Sequence, residues 1–263
     1  MVEDLADRLE AIPRPFPRAL ALGGGGLFSR ELTRRPELAA RIGDVIEADI
    51  ASGAVQLDPE RLPFAPASFD LIVSPLALHS VNDLPGALIQ LRHALKPDGL
   101  LLASLFGGET LNELRLSLIE AESELTGGAG PRVAPFADLA DIAGLLQRAG
   151  YALPAADRDV ITVRYADPMR LLADLRGMGE TAALTARSPR ALSRRILART
   201  FEIYAQRFSD PDGRLRATFE VLTATGWAPH ASQQQPLKPG SAKTRLADAL
   251  GTQERSAGEK AGE

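Results

Sequence analysis

Three groups of residues in this sequence have types and spacing that can do chemistry. The first is a glycine turn with acids downstream of it. Gly23-Gly24-Gly25-Gly26 follows the apolar run Ala19-Leu20-Ala21-Leu22. Glycines at such a point let a ligand approach the backbone and leave the amides of the next helix pointing at it. Gly23 and Gly25 supply G-x-G, the third glycine of the usual fingerprint falls at Leu27, and Ala21 stands where an acid is often seen. An acid at the end of the second strand, roughly 20 residues on, is suited to accept hydrogen bonds from ribose hydroxyls. Glu47 and Asp49, in VIEADI, are the candidates, and Asp58 is placed to accept one from an adenine amino group. The second group is His79, just beyond the apolar segment FDLIVS, as a proton acceptor, a substrate-shaping residue or a structural histidine. The third is Glu109, in Phe106-Gly107-Gly108-Glu109-Thr110, which can polarise an amine or guanidinium, while Thr110 is expected to cap a helix.

These residues need a scaffold, and the chain supplies a strand–helix rhythm. Strands are expected at residues 18–22, 44–48, 54–57, 69–74 and 100–106. Helices are expected at 2–11, from the glycine turn to about Thr33, and at 83–95, where Leu84, Leu88, Leu91 and Leu95 share one face. Lys96-Pro97-Asp98-Gly99 reads as a turn. Alternation with short links predicts an α/β fold, a doubly wound, mostly parallel Rossmann-like sheet, with helical additions in the C-terminal half. There, helices are expected at 110–125, 135–149, 168–175 and 189–208, the last capped by Ser188, and strands at 160–165 and 215–227. The basic helix carrying Arg187, Arg190, Arg194, Arg195 and Arg199 reads as a solvated face, and His93 as a surface side chain. The expected division is 1–18 as helix and Pro-rich lead-in, 19–229 as the main domain with a helical insertion around 167–212, and 230–263 as a polar, partly disordered tail, mobile beyond about Thr244.

Composition narrows the chemistry. A chain of 263 residues, 45% hydrophobic, can bury a full core. A formal charge of -4 gives no basic field for nucleic acid. With no cysteine, disulfides, thiol nucleophiles and thiolate metal sites are out, and three histidines (His79, His93, His230) argue against a histidine-rich metal site. No metal is expected. No apolar run approaches the roughly 20 residues that span a bilayer, and the acidic N-terminus lacks a secretion pattern. The expected location is cytoplasmic, with at most peripheral contact with a membrane complex.

Read together, the segments resemble the class I S-adenosylmethionine-dependent methyltransferases. LPFAPASFDLIVSPLALHSVNDLPGALIQLRHALKPDGLLLAS is similar to that family's strand-four to strand-five core, with its LPF-x(4)-FD and LKPDG signatures. Within it the chain is most similar to the mitochondrial complex I assembly factor 5 family and its bacterial relatives, with the malonyl-carrier-protein methyltransferases as neighbours. The closer likeness rests on ADR-x(3)-IPR-x-FP near Ala6, SLFGGETLNELR at 104–115, DLRGMGE at 174–180 and TGW-x(2)-H-x-SQ-x(2)-P-x-K-x-GSA at 225–242.

The resemblance implies S-adenosyl-L-methionine as cofactor, with Gly23 and Gly25 at its methionine side, Asp49 at the ribose, Asp58 at the adenine, and Ser74 and His79 flanking the pocket mouth. Ala21 and Leu27 depart from the family pattern, and Ser80 replaces an aromatic residue common after the histidine. The expected function is that of a methyltransferase-fold protein that modifies a protein client, a subunit of respiratory complex I, by methylation or arginine hydroxylation. Two alternatives stand beside it: a small-molecule or carrier-protein carboxyl methyltransferase, and a non-catalytic assembly chaperone with a degenerate cofactor loop.

Overall fold

Prolines 13, 15 and 17 hold the chain extended as it approaches the sheet, and the first strand, β1 (Phe16–Leu22), begins two residues earlier than expected. The structure, a computed structural model, describes residues 1–50, 53–181, 192–234, 241, 244 and 246–253. Before β1 lies α1 (Val2–Glu10), whose Leu5, Ala6 and Leu9 form one fully buried face. After the glycine turn come α2 (Leu27–Arg34) and a helix not foreseen from sequence, α3 (Pro36–Arg41), which Pro36 opens at its first turn. Then follow β2 (Ile42–Asp49), β3 (Val55–Gln56), β4 (Phe69–Pro75), a 3-10 turn at Leu78–Ser80, α4 (Leu84–Ala94) and β5 (Leu95–Phe106).

The Lys96–Gly99 turn lies inside β5 rather than before it. Pairing with β4 jumps from Phe69↔Leu95 to Leu71↔Leu100, so the extra residues bulge out, with Asp98 at φ +62°.

The second half holds α5 (Asn112–Thr126), α6 (Leu139–Arg148), β6 (Ala152–Tyr165), α7 (Pro168–Gly177), α8 (Arg194–Phe208) and β7 (Leu215–Trp227). Several boundaries move for local reasons. Helix α5 starts at Asn112, because Leu111 takes φ +54° and the Thr110 hydroxyl bonds to β7 instead of capping. Helix α6 starts at Leu139, where Asp138 and Asp141 form a reciprocal capping box. Helix α8 is capped by Ser193; the expected cap at Ser188 lies outside the described residues. Arg199 on α8 bonds Glu124 of α5, so this part of the basic helix is docked rather than simply solvated. His93 is exposed.

The seven strands form one sheet in the order β3-β2-β1-β4-β5-β7-β6, parallel from β3 to β5, with β7 antiparallel to both neighbours. Alternating side chains divide the core. Leu20, Leu22, Ile72, Leu101 and Ala103 pack with α4 and α6; Ala19, Ala21, Leu71, Val73, Leu100 and Leu102 pack with α1, α2 and α3. A third cluster joins Phe106, Tyr165, Leu171, Tyr204 and Phe219.

All of this belongs to one compact unit, Met1–His230; a second, Ala231–Glu263, contains α9 (Leu246–Leu250), a short helix where only a tail was expected.

Candidate functional site

Strand order reverses between β1 and β4: the chain leaves β1 toward β2 and leaves β4 toward β5. A crevice at the carboxyl ends of those strands is where ligands bind in open α/β sheets. The glycine turn occupies one side of it. Gly23 donates its N–H to Ala48 O (2.8 Å) at φ +83°, and a Cβ built on it would overlap Ala77 Cβ in the turn after β4. Gly25, by contrast, has nothing within 4 Å of where its Cβ would stand. The front of the turn is thus closed against β4 and its far side is open. Leu27, at the fingerprint's third glycine position, begins α2 and is 49% exposed, with the left-handed Gly26 as N-cap.

The acids separate by what they touch. Glu47 accepts from both the N–H and the hydroxyl of Ser29, binding β2 to the first turn of α2. Asp49, two residues on, accepts from Gly25 N–H (3.3 Å), which puts its carboxylate against the open part of the glycine turn. Asp58 is exposed and accepts from Glu60 N–H (2.9 Å). Glu60 itself accepts from the backbone of Asn82 and Asp83 and the Asn82 side chain, and these bonds hold its carboxyl below the usual range. It therefore ties the Asp58 turn to the segment just after His79. Ser74 is fully buried and donates to Leu22 O (3.0 Å), linking β4 to β1.

On the other side of the crevice stands His79. Its side chain is 3% exposed, and its Nε2 lies 2.9 Å from Glu180 Oε1. The Nδ1 atom is buried without a hydrogen-bond partner. With a carboxylate at Nε2, the neutral ring carries its proton there and presents Nδ1 as an acceptor. Glu180 reaches His79 because Gly179 (φ +82°) reverses the chain after α7, the Glu180 N–H returning to Leu175 O (2.8 Å). The His79 ring packs on Phe106 (4.7 Å) and Phe136 (5.8 Å). These three residues, with Val81, Asp141 and Arg148, help line a cavity of about 270 Å³.

Glu109 is exposed in the loop that follows Phe106, its carboxylate accepts from the Asn112 side chain (3.4 Å), and it is not among the residues lining the His79 cavity. Its own backbone N–H donates to Glu220 Oε2 (2.8 Å), from β7. Glu220 is 4% exposed and also faces Arg158 (3.5 Å); a Cβ on Gly107 would come 2.6 Å from its Oε2. Gly107 N–H and the Thr110 hydroxyl donate to Glu220 O, so the Gly-Gly-Glu-Thr loop is fastened to β7.

The structure thus gathers Gly23, Gly25 and Asp49 at one place and His79 with Phe106 at another along the same sheet edge. It commits Ser74 to the β1–β4 contact. Glu60, Glu180 and Glu220 were not singled out from sequence, although Glu180 closes the DLRGMGE segment. Among the described residues no group of three or more His, Asp or Glu is arranged to hold a metal ion.

The donor set fits a nucleoside: a strand-end carboxylate on an open glycine backbone at the start of a helix. Ala21 offers nothing polar there, being fully buried in the apolar cluster with Phe28 and Val73.

Comparison with known proteins agrees with this fold. The methyltransferase domain family model matches residues 22–103. The zebrafish protein named arginine-hydroxylase NDUFAF5, mitochondrial, is 38% identical over 253 residues, covering 93% of this chain and 78% of the relative. The malonyl-[acyl-carrier protein] O-methyltransferase of Halorhodospira halophila is 32% identical over 252 residues, covering 89% of this chain and 82% of the relative. Among solved structures, a methyltransferase candidate from Bacillus halodurans superposes with a TM-score of 0.56 at 16% identity, over 88% of this chain and 99% of the other, a likeness of fold.

The cytoplasmic location expected from the sequence is overturned by these comparisons, since the NDUFAF5 relatives are named as mitochondrial. The sequence features behind it concern membrane spans and secretion, which do not distinguish one aqueous compartment from another. No helix among the described residues is long and apolar enough to cross a membrane.

Proposed function

This chain belongs to the NDUFAF5 arginine-hydroxylase family, and on that premise we propose that it binds S-adenosylmethionine and modifies an arginine of a protein client during assembly of the respiratory NADH:quinone oxidoreductase. The observation that carries the reading is the pairing of the two family-specific segments with the crevice. DLRGMGE brings Glu180 to His79, and the loop of SLFGGETLNELR extends from Phe106, which packs on His79. When bound, the cofactor would supply a methyl carbon made electrophilic by its sulfonium, the chemistry of arginine methylation; hydroxylation of the arginine would need dioxygen and a two-electron reductant besides. Asp49 would accept hydrogen bonds from the ribose hydroxyls, the open backbone of Gly25 would admit the cofactor, and Asp58 would accept a hydrogen bond from the adenine amino group. Phe106 and Phe136 exclude water and give a guanidinium flat apolar faces. His79 Nδ1 accepts a hydrogen bond from a guanidinium N–H, and Glu109 is the carboxylate that balances its charge.

Two measurements test this. Calorimetric titration with S-adenosylmethionine is expected to show binding that Asp49→Ala weakens by about 1.5–3 kcal/mol, roughly ten- to a hundredfold. Mass spectrometry of the assembled oxidoreductase is expected to lose an arginine modification when the gene is deleted. A normal complex with unchanged modification refutes the client role.

A second reading is supported by the likeness to the carrier-protein methyltransferase: transfer of a methyl group to a carboxylate. It predicts release of S-adenosylhomocysteine when malonyl carrier protein is supplied, and no release counts against it.

A further inference from the structure

A second cavity, of about 470 Å³, adjoins Phe106, with Leu76, Val163, Tyr165, Met178 and Val221 in its walls. Ile161 and Met178, also in its lining, are 40% and 50% exposed. Open apolar surface of this size marks a binding site more often than a packing defect.

Three observations bear on the occupant. Phe106 lines this cavity and the His79 cavity alike, so an occupant here touches the ring on which His79 packs. Strand β6 is the last in the sheet, and no described strand pairs with its outer side along its 14 residues. Ile161, Val163 and Tyr165, alternate residues of that strand, line the cavity. A peptide added along this edge therefore places every second side chain on the cavity's side of the sheet. The wall also holds one carboxylate. It is that of Asp174, and burial and this carboxylate push the Tyr165 phenol's pKa up. A strand edge with no described strand on it, beside apolar walls, suits a peptide backbone carrying an apolar side chain; a lipid chain would use only the walls.

We infer that this cavity receives an apolar side chain of the protein client, whose backbone adds as a strand to β6 beside the arginine held at His79. The inference rests on the client reading above and adds to it a determinant of sequence specificity.

The test uses the full chain saturated with S-adenosylhomocysteine. The probe is a fluorescein-labelled peptide spanning the client arginine whose modification disappears on gene deletion. Fluorescence polarisation should show binding that Val163→Asp and the milder Ile161→Lys each weaken about tenfold or more, with cofactor affinity unchanged. N-methylation of alternate peptide amides should weaken it comparably, since strand addition uses those groups. Binding indifferent to both variants and to N-methylation overturns the inference while leaving the client reading intact. So does uptake of dansyl-undecanoic acid at the cavity without displacement of bound peptide. If no client arginine loses its modification on deletion, the client reading fails, and this inference fails with it.

Discussion

Adding one methyl group to the glycine turn should give opposite results at two positions two residues apart. At Gly23 the φ of +83° strains any L side chain, at a cost of about 1–2 kcal/mol. The new Cβ also overlaps Ala77 Cβ, which is fixed to the backbone of the turn after β4 and has no rotamer with which to yield. Overpacking of that kind costs about 1–3 kcal/mol. Gly23→Ala should therefore lose about 2–5 kcal/mol, which for a unit of this size lowers the melting temperature by roughly 2–4 °C per kcal/mol.

Gly25→Ala carries only the strain of φ +55°, because its Cβ meets nothing within 4 Å. Its methyl instead enters the space assigned to the cofactor. Urea unfolding read by Trp227 fluorescence and calorimetric titration with S-adenosylmethionine separate the two outcomes: Gly23→Ala chiefly loses stability, and Gly25→Ala chiefly loses affinity. Adding Ala77→Gly to Gly23→Ala should return the overlap part and leave the strain part, corrected for the stability of Ala77→Gly alone. Equal stability losses at Gly23 and Gly25, or no recovery in the double variant, would refute the reasoning.

Three further outcomes follow from the ion and hydrogen-bond geometry. Glu220→Ala strips the acceptor from Glu109 N–H and should cost about 1–3 kcal/mol, whereas Glu220→Gln, which keeps a carbonyl oxygen, should cost less; both are read by thermal unfolding. Glu60 has its folded-state pKa lowered by the Asn82 and Asp83 bonds, so its contribution is complete above its ordinary value, about 4.5, and is lost as pH falls through the lower folded value. Limited pepsin digestion should accordingly expose the segment after His79 progressively below that ordinary value in the wild type; in Glu60→Gln it should already be exposed near pH 5. Glu180→Gln should leave the fold intact, its side chain being 30% exposed, but shift the His79 tautomer balance in nitrogen NMR and lower client modification; an unchanged tautomer would remove Glu180 from the site.

Sequence exposed the centre of the sheet well because β4 and the second half of β5 are buried on both faces and read as continuous apolar runs, FDLIVS and Leu100–Phe106. It exposed less wherever a side chain was spent on a distant partner. Thr110 looked like a cap and bonds to a strand 110 residues away. Glu47 and Asp49 share a strand face and a charge, and only the position of Ser29 separates the acid that braces a helix from the one that meets the glycine turn. The His79–Glu180 pair spans 101 residues, a closure that no local pattern encodes. Ser74 followed the family pattern, but the pattern does not reveal that its hydroxyl is held by Leu22 O.

Ala21 takes on a different meaning once its surroundings are known. It is fully buried in an apolar cluster that includes Phe28 and Val73, which keeps the floor of the turn apolar. The turn is instead braced from β2, by Ala48 O on Gly23 N–H and by the Asp49 carboxylate on Gly25 N–H. Asp49 is also the acid proposed for the ribose, and a carboxylate with two acceptor oxygens has the capacity to serve Gly25 N–H and a nucleoside together. On that proposal, cofactor affinity and the order of the glycine turn would both depend on one carboxylate. An Asp49→Asn change, which keeps an oxygen acceptor but removes the charge, should therefore hold the turn better than it holds the cofactor.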